Sequence, residues 1–200
     1  MYYQKDEEVR RRINLFLQTA FDLPEEDYYA RLNVKNLLTL KSALSDINNV
    51  LTMRLTLEFL NWAAQALPLD EIAIGQIRND VLATKPNSNG YDIHCTAPIS
   101  FVAEVKCNIP VNGGRKYGAA QRNGIVKDID ALLHGKSKVS SIDSKCLKFM
   151  VFIDLPEVRA ANEHLLVTNS RLLSAFRFIK ENEAPNDPTV VYGVYVALHS

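Results

Sequence analysis

The sequence predicts a mixed α/β fold in which a helical first third precedes a sheet covered by helices. Two observations support this. Apolar residues recur at helical spacing up to Pro68, and short β-type runs that alternate with helical segments follow it. Helices between the later strands favour crossover connections and parallel pairing. We expect a single domain over residues 1–200, with a helical part over 1–67 and, over 68–200, an α/β core built on a mixed sheet of four to five strands.

The first third contains three predicted helical segments. The first, "DEEVRRRINLFLQTAF", has acidic residues in its first turn and apolar residues at helical spacing. Pro24 opens a second, short helix in "LPEEDYYARLN". A long helical pattern, with one break allowed, runs from about Lys35 to Leu67 and stops at Pro68.

The remaining two thirds contain the β-type runs. They are "EIAIGQI", which is weak, "GYDIHCT" at 90–96, "ISFVAEVKC" at 99–107, "CLKFMVFIDL" at 146–155 and "TVVYGVYVAL" at 189–198. Ala97-Pro98 makes the second and third runs a predicted hairpin. Helices are predicted at about 117–133 and 157–180, between the later strands.

Composition limits the function classes. The 23 basic residues balance the 23 acidic ones, so overall charge gives no support for nucleic-acid binding. The cysteines Cys95, Cys107 and Cys146 have no zinc-type spacing, and we interpret them as free thiols in a reducing cytoplasm. With no signal-peptide pattern and no apolar run of membrane-spanning length, we expect a soluble cytoplasmic protein without membrane contact.

One strand, "FVAEVKCN", combines a core pattern with two charges. Alternation places Glu104 and Lys106 on the same face, and Asp92 on the preceding strand can lie beside them across the hairpin. Burial of a charge costs several kcal/mol unless it is paired or bound to a metal. Either Glu104 and Lys106 form a structural pair on an edge strand, or they belong to a functional site.

A second carboxylate is predicted on the long helix. Glu58 shares one helical face with the apolar residues Leu44, Ile47, Leu51, Leu55 and Trp62. A glutamate on a core-facing stripe needs a partner. That partner is a nearby Tyr or Arg, or Glu58 points at the same place as the strand charges.

Carboxylates that converge beside a lysine are suited to metal-assisted chemistry. Mg²⁺ usually takes one or two protein carboxylates together with substrate phosphate. The metal polarises the phosphate, and an ammonium stabilises charge that develops on its oxygens. These groups are sufficient to hydrolyse a phosphodiester.

Asp92 followed by Glu104-Val105-Lys106, between an upstream helix and an α/β continuation, resembles the PD-(D/E)XK nuclease superfamily. The resemblance covers roughly residues 50–155 and implies a restriction endonuclease-like core, with the N-terminal helices as an elaboration. One departure is Tyr91, which stands where the family often has proline.

The resemblance also implies roles for individual residues. Asp92 and Glu104 would bind Mg²⁺, for which Mn²⁺ would substitute, with the backbone carbonyl of Val105 as a further ligand. Lys106 would be the catalytic lysine. Two more residues match positions near the active site in some members: Glu58, which could also reach the metal, and Gln121 on the helix after the motif strand.

Other polar residues near the motif have two interpretations each. Basic residues cluster after the motif strand, and they either contact the DNA backbone or form a solvated helix face: Arg115, Lys116, Arg122, Lys127, Lys136 and Lys138. His94 lies on the face of Asp92 and either touches the metal or scissile phosphate or is satisfied by a neighbour.

The function expected from these observations is a Mg²⁺-dependent endonuclease that cleaves double-stranded DNA. A type II restriction endonuclease that acts as a homodimer is the first choice, because a palindromic site calls for two-fold symmetry. A repair or mobile-element deoxyribonuclease is the second. A non-catalytic module that binds nucleic acid or protein on the same fold, or a purely structural ion-pair network, is the alternative from another class.

Overall fold

The computed structural model describes residues 4–85, 90–110, 114–136, 139, 142–172, 174–180 and 183–199. Contacts within the chain divide it into two compact units, Met1–Ile47 and Asn48–Ser200. The helices of the described residues are α1 (Lys5–Phe21), α2 (Val34–Ala66), α3 (Glu71–Ala83), α4 (Ala119–His134) and α5 (Pro156–Thr168), with short 3-10 helices at Tyr29–Arg31 and Ser170–Leu172. The strands are β1 (Ile93–Cys95), β2 (Phe101–Lys106), β3 (Leu147–Ile153), β4 (Phe176–Phe178) and β5 (Val191–Val196).

The first unit contains α1, the Tyr29–Arg31 turn and the start of α2. The predicted helix after Pro24 is reduced to that single 3-10 turn. Side-chain contacts with α1 hold this segment, because Asp27 pairs with Arg10 and accepts a hydrogen bond of 2.9 Å from Asn14. The prediction of an α-helix there was wrong, since these contacts take precedence over a weak helical pattern.

Helix α2 is continuous over 33 residues, without the break that the sequence allowed. Its buried residues all lie from Leu55 onwards. We expected the apolar stripe of α2 to face the core along its whole length. This prediction is wrong for its first part, because Leu44, Ile47 and Leu51 are 63%, 50% and 37% exposed. No helix among the described residues combines the length and apolar character needed to cross a membrane.

The weak β-type run "EIAIGQI" forms α3, not a strand. Asp70 caps this helix, since its carboxylate accepts a hydrogen bond of 2.7 Å from the N–H of Ala73. The prediction failed because "EIAI" alternates like a strand over only a few residues, whereas the cap commits the segment to a helix.

The described strands form one five-stranded sheet in the order β1-β2-β3-β5-β4. β1 is antiparallel to β2, and the β2–β3, β3–β5 and β5–β4 pairs are parallel. This confirms the hairpin and the mixed α/β sheet. The predicted helix over 157–180 ends earlier, at Thr168, and its last residues form the edge strand β4. Gly193 on β5 permits this pairing, because a Cβ there would lie 2.6 Å from the Phe178 ring.

Helices cover both faces of the sheet within the second unit. On one face, α2 packs its Leu55, Phe59 and Ala63 against inward residues of the strands, among them Phe101, Ala103, Val105, Phe149 and Tyr192. On the other face, α4 and α5 pack against Val102, Met150, Phe152 and Val191. Burial on both faces explains why β2 and β3 read as nearly continuous apolar runs.

Candidate active site

The hairpin of β1 and β2 brings Asp92 and Glu104 together. Ile93 pairs with Ala103, and one further step of this antiparallel register places Asp92 opposite Glu104. The Asp92 carboxylate accepts a hydrogen bond of 2.7 Å from the backbone N–H of Val105. This bond extends the contact between the two strands to Asp92, the residue before β1, and fixes its side chain beside β2.

The two charges of β2 point towards the α4 face of the sheet. Val102, which shares their side of the strand, packs with Ile125 and Ile129 of α4. Glu104 is buried, and Lys106 lies at the carboxyl end of β2 and is half-buried. Because β2, β3, β5 and β4 run parallel, their carboxyl ends share one edge of the sheet, which is where α/β proteins commonly bind ligands.

Helix α4 and the residues after it supply two partners for these charges. Lys106 forms an ion pair with Asp128 of α4. The ammonium of Lys136 lies 2.5 Å from Oε1 of Glu104. We call the set Asp92, Glu104, Lys106, Asp128 and Lys136 the carboxylate–lysine cluster.

Gly135 directs the chain so that Lys136 reaches the hairpin. It follows α4 with φ of 89°, a backbone conformation that L side chains rarely adopt. From there the Lys136 ammonium donates a hydrogen bond to the Gly90 carbonyl and lies 4.8 Å from the centroid of the Tyr91 ring. Tyr91 in turn donates a hydrogen bond of 3.1 Å to the Ala131 carbonyl. The start of the hairpin is thereby fastened to the end of α4.

Burial dominates the electrostatics of the cluster. Burial, together with the Asp92 charge, raises the pKa of Glu104 to about 7, and Lys136 opposes this rise. Burial also raises the pKa of Asp92, against the hydrogen bond from Val105 and the nearby charges of Lys106 and Lys136. Glu104 is buried and Asp92 is half-buried, and a close pair of carboxyls with raised pKa values is common at functional sites.

The donor set suits Mg²⁺. Asp92 and Glu104 offer carboxylate oxygens, and Oε1 of Glu104 is buried without a hydrogen bond of normal geometry, its contact with Lys136 being an ion pair. Within the described ranges, no three His, Cys, Asp or Glu side chains are grouped to hold a metal ion. Mg²⁺ does not need three, since it usually takes one or two carboxylates together with substrate phosphate and water.

Glu58 lies outside the cluster. It is half-buried on α2 and accepts a hydrogen bond of 2.9 Å from Asn61 of the same helix. Asn61 accepts a hydrogen bond of 3.0 Å from Arg78. The buried side of α2 packs on the Phe101–Ala103–Val105 face of β2, whereas Glu104 points to the opposite face. The structure therefore does not bring Glu58 together with Glu104.

Gln121 caps α4 near the end of the motif strand. Its Oε1 accepts a hydrogen bond of 3.1 Å from the N–H of Gly118, and its Nε2 donates one of 2.9 Å to the carbonyl of Ile109. These bonds connect the start of α4 to the segment that leaves β2. The observed contacts of Gln121 hold the backbone, and none of them is with the carboxylate–lysine cluster.

The basic residues expected on the DNA backbone separate into two groups. Four of them are exposed: Arg115, Lys116, Arg122 and Lys127. Lys136 is instead drawn into the cluster, and Lys138 lies outside the described residues. His94 is exposed, and its ring packs edge-on against Tyr91 with a centroid separation of 6.1 Å.

The sequence predicted no role in the site for Asp128, and it indicated Lys136 only as a contact to the DNA backbone or part of a solvated face. Asp128 falls on the helical stripe of Ile125, Ile129 and Leu132, all of which are buried. An acidic residue on a core-facing helical stripe is the pattern that predicted a role for Glu58, and Asp128 shows the same pattern. The sequence carries no comparable signal for Lys136, because its position depends on the turn at Gly135.

A separate cavity of about 660 Å³ contains none of the residues predicted for the site. Trp62, Arg159, Lys180 and Tyr195 are among its lining residues. Arg159 stacks on the Tyr195 ring at 4.1 Å and forms two hydrogen bonds, of 2.6 and 2.9 Å, with Asp154. The charge of Arg159 is thereby already paired within the protein.

Comparison of the chain with protein-family models, with curated proteins and with solved structures finds no match. The resemblance carried by Asp92, Glu104 and Lys106 therefore stays a prediction.

Proposed function

We propose that this chain is a Mg²⁺-dependent endonuclease with a restriction endonuclease-like core that hydrolyses phosphodiester bonds of double-stranded DNA. The observation that carries the proposal is the juxtaposition of Asp92 and Glu104 beside Lys106 at the carboxyl edge of the sheet. The raised pKa of both carboxyls supports it, because placing the half-buried Asp92 beside the buried Glu104 has a cost that a bound cation offsets.

Each residue of the motif has a role in this proposal. Asp92 and Glu104 would hold the metal ion through their carboxylate oxygens. When bound, Mg²⁺ would supply charge neutralisation and Lewis acidity at the scissile phosphate. Lys106, at the end of β2, would orient the attacking water or donate to the phosphoryl oxygens, while Asp128 holds its ammonium in place.

Exposed cations near the motif support contact with a polyanion. Arg115 and Lys116 precede α4, and Arg122 and Lys127 lie on it. Such residues position a duplex through its phosphates without reading base sequence. The balanced overall charge makes this local group the electrostatic support for DNA binding.

The specific form that we propose is a homodimeric type II restriction endonuclease. We propose that it acts in the cytoplasm. Helix α1 has no buried residue, and α2 has none before Leu55. This part of the chain exposes large apolar side chains, among them Phe16, Leu38, Leu44 and Ile47. Exposed apolar surface of this kind supports contact with a second copy, as cleavage of both strands of a palindrome requires. The three cysteines are free, and free thiols are compatible with the reducing compartment that we propose.

A structural ion-pair network is the second candidate. Lys106 pairs with Asp128 and Lys136 with Glu104, so the lysines of the cluster already have partners without any ligand. Neither of these two ion pairs includes Asp92. The cluster therefore has one more carboxylate than it has lysines, and its formal charge is negative. The two candidates differ in whether a divalent cation binds there.

The test is cleavage of plasmid DNA by purified protein, with Mg²⁺ and with EDTA. Asp92→Ala and Lys106→Ala are the test variants, and Lys145→Ala, an exposed position before β3, is the matched control. Discrete fragments that require the metal and both residues, but not Lys145, are the expected result. Glu58→Ala is a further comparison, and we expect it to cleave because Glu58 lies outside the cluster.

Absence of cleavage of every DNA and RNA tested, with Mg²⁺ or Mn²⁺, would contradict the nuclease proposal. Retained binding of duplex DNA in a gel-shift assay would then favour a non-catalytic module on the same fold. Metal-dependent nicking without discrete fragments would favour a repair or mobile-element nuclease over a restriction enzyme.

A further inference from the structure

The ammonium of Lys136 occupies a position that suits a cation. It lies 2.5 Å from the buried Oε1 of Glu104, donates to the Gly90 carbonyl, and faces the Tyr91 ring at 4.8 Å. A carboxylate oxygen, a carbonyl oxygen and an aromatic face all present negative potential to a positive charge. Lys136 therefore does at Glu104 what a bound cation would do.

Glu104 needs such a cation, and Lys106 does not supply it. The Glu104 carboxylate is buried, and the hairpin register places the Asp92 carboxylate opposite it. A buried negative charge beside another is costly unless a cation lies next to it. Lys106, which belongs to the same motif, is held by Asp128 on α4. The ion pair given to Glu104 comes from Lys136, outside the motif.

The ammonium group of Lys136 can also move away from Glu104. It lies two residues beyond the end of α4, and its side chain keeps 25% of its surface exposed, compared with 8% for Glu104. A lysine side chain has four rotatable bonds, so its ammonium can turn into solvent while the backbone stays in place. Glu104, fixed in the middle of a buried strand, has no comparable freedom.

We propose that Lys136 is an internal counter-ion of Glu104 that a divalent metal ion displaces when it binds. This inference rests on the metal site of the proposed function and adds a competitor for it. In the metal-free protein the Lys136 ammonium compensates the charge of the buried Glu104 carboxylate. In the metal-bound protein its ammonium is released towards solvent.

The proposal predicts that the charge of Lys136 weakens metal binding, an effect that a purely structural lysine would not have. Lys136→Met keeps most of the apolar length of the side chain and removes the charge. We expect it to bind Mg²⁺ roughly tenfold more tightly than the unmodified protein. Binding is measured by isothermal titration calorimetry at pH 8.5 for every protein compared. Lys145→Met is the control and should bind like the unmodified protein.

A second measurement avoids dependence on the folding of the variant. Chemical acetylation of lysines in the unmodified protein, read by mass spectrometry, reports which ammonium groups are accessible. Saturating Mg²⁺ should increase the labelling of Lys136 several-fold, and the labelling of exposed Lys145 should not change. A Lys136 that stays equally protected with and without Mg²⁺ overturns the proposal.

The outcomes separate this proposal from the proposed function. Tighter Mg²⁺ binding by Lys136→Met together with Mg²⁺-induced labelling supports both. Mg²⁺ binding that is equal or weaker in Lys136→Met overturns the counter-ion role and leaves the metal site intact. Absence of Mg²⁺ binding in the unmodified protein and in Lys136→Met alike overturns both.

Discussion

The Asp92 carboxylate accepts a hydrogen bond of 2.7 Å from the backbone N–H of Val105, the residue that follows Glu104. This bond fixes an acidic side chain at a position where its charge acts on Glu104. The two carboxyls are consequently coupled, and a change at one alters the protonation of the other.

Asp92→Asn tests this coupling. The amide oxygen retains an acceptor for the Val105 N–H and removes the negative charge that raises the pKa of Glu104. We expect the pKa of Glu104 to fall below its present value of about 7. Carboxyl ¹³C chemical shifts followed through a pH titration measure it, and an unchanged Glu104 titration would show that burial alone sets the value.

The raised pKa of Glu104 makes the stability of the protein depend on pH. Between about pH 4.5, where an unfolded glutamate titrates, and about pH 7, the folded protein keeps a proton that the unfolded chain has lost. The free energy of unfolding should therefore fall as pH rises through this window, by at most on the order of 3 kcal/mol. The raised pKa of Asp92 acts in the same direction.

Glu104→Gln identifies the part due to this residue. The variant cannot titrate at this position, so the difference in unfolding free energy between pH 5 and pH 8 should shrink. Urea denaturation of both proteins in EDTA gives the values. A pH dependence equal to that of the unmodified protein would place its origin at other groups.

Asp128 should act on the reaction through Lys106. Lys106→Met removes the ammonium proposed to act on the phosphate, and we expect a loss of roughly 10²-fold or more in single-turnover cleavage. Asp128→Asn keeps the ammonium but removes its ionic partner, and a smaller loss of about tenfold is expected. A loss with Asp128→Asn as large as that with Lys106→Met would give Asp128 a role of its own. Asp130→Asn, exposed on the same helix, is the control.

Exposed apolar residues of α2 should control association. The double variant Leu44→Glu/Ile47→Glu places charges at positions that are 63% and 50% exposed. We expect the unmodified protein to form the proposed dimer and the variant to be monomeric. Sedimentation velocity measures the change. Val167→Glu on α5, at a position that is 82% exposed, is the control. A monomer before any substitution would remove the dimer from the proposal.

Strands β1, β2, β3 and β5 were more predictable than the edge strand β4 and helix α3. The β2 and β3 runs are apolar throughout because both faces of the sheet are covered, and this pattern is visible in the sequence. Residues 71–77 and 176–178 were assigned wrongly because their state depends on a side-chain cap in one case and on pairing with β5 in the other. Neither the cap geometry nor the pairing is a property of apolar periodicity.

The convergence of Asp92, Glu104 and Lys106 could be read from the sequence because it depends on local geometry. A hairpin fixes which residues face each other, and alternation fixes which side chains share a face. The partners of these charges depend instead on helix–sheet packing. Glu58 and Asp128 show the same sequence signal, an acidic residue on a helical apolar stripe, yet only Asp128 reaches the cluster.

The sequence by itself determined the mixed α/β character of this chain and the three charges that share the end of one hairpin. Only the tertiary structure decided that α4 packs on the face to which Glu104 points, while α2 packs on the other. That choice gives Lys106 its Asp128, and the turn at Gly135 gives Glu104 its Lys136. The reason is physical: which face a helix covers depends on the burial of the whole core, which no single segment of the sequence specifies.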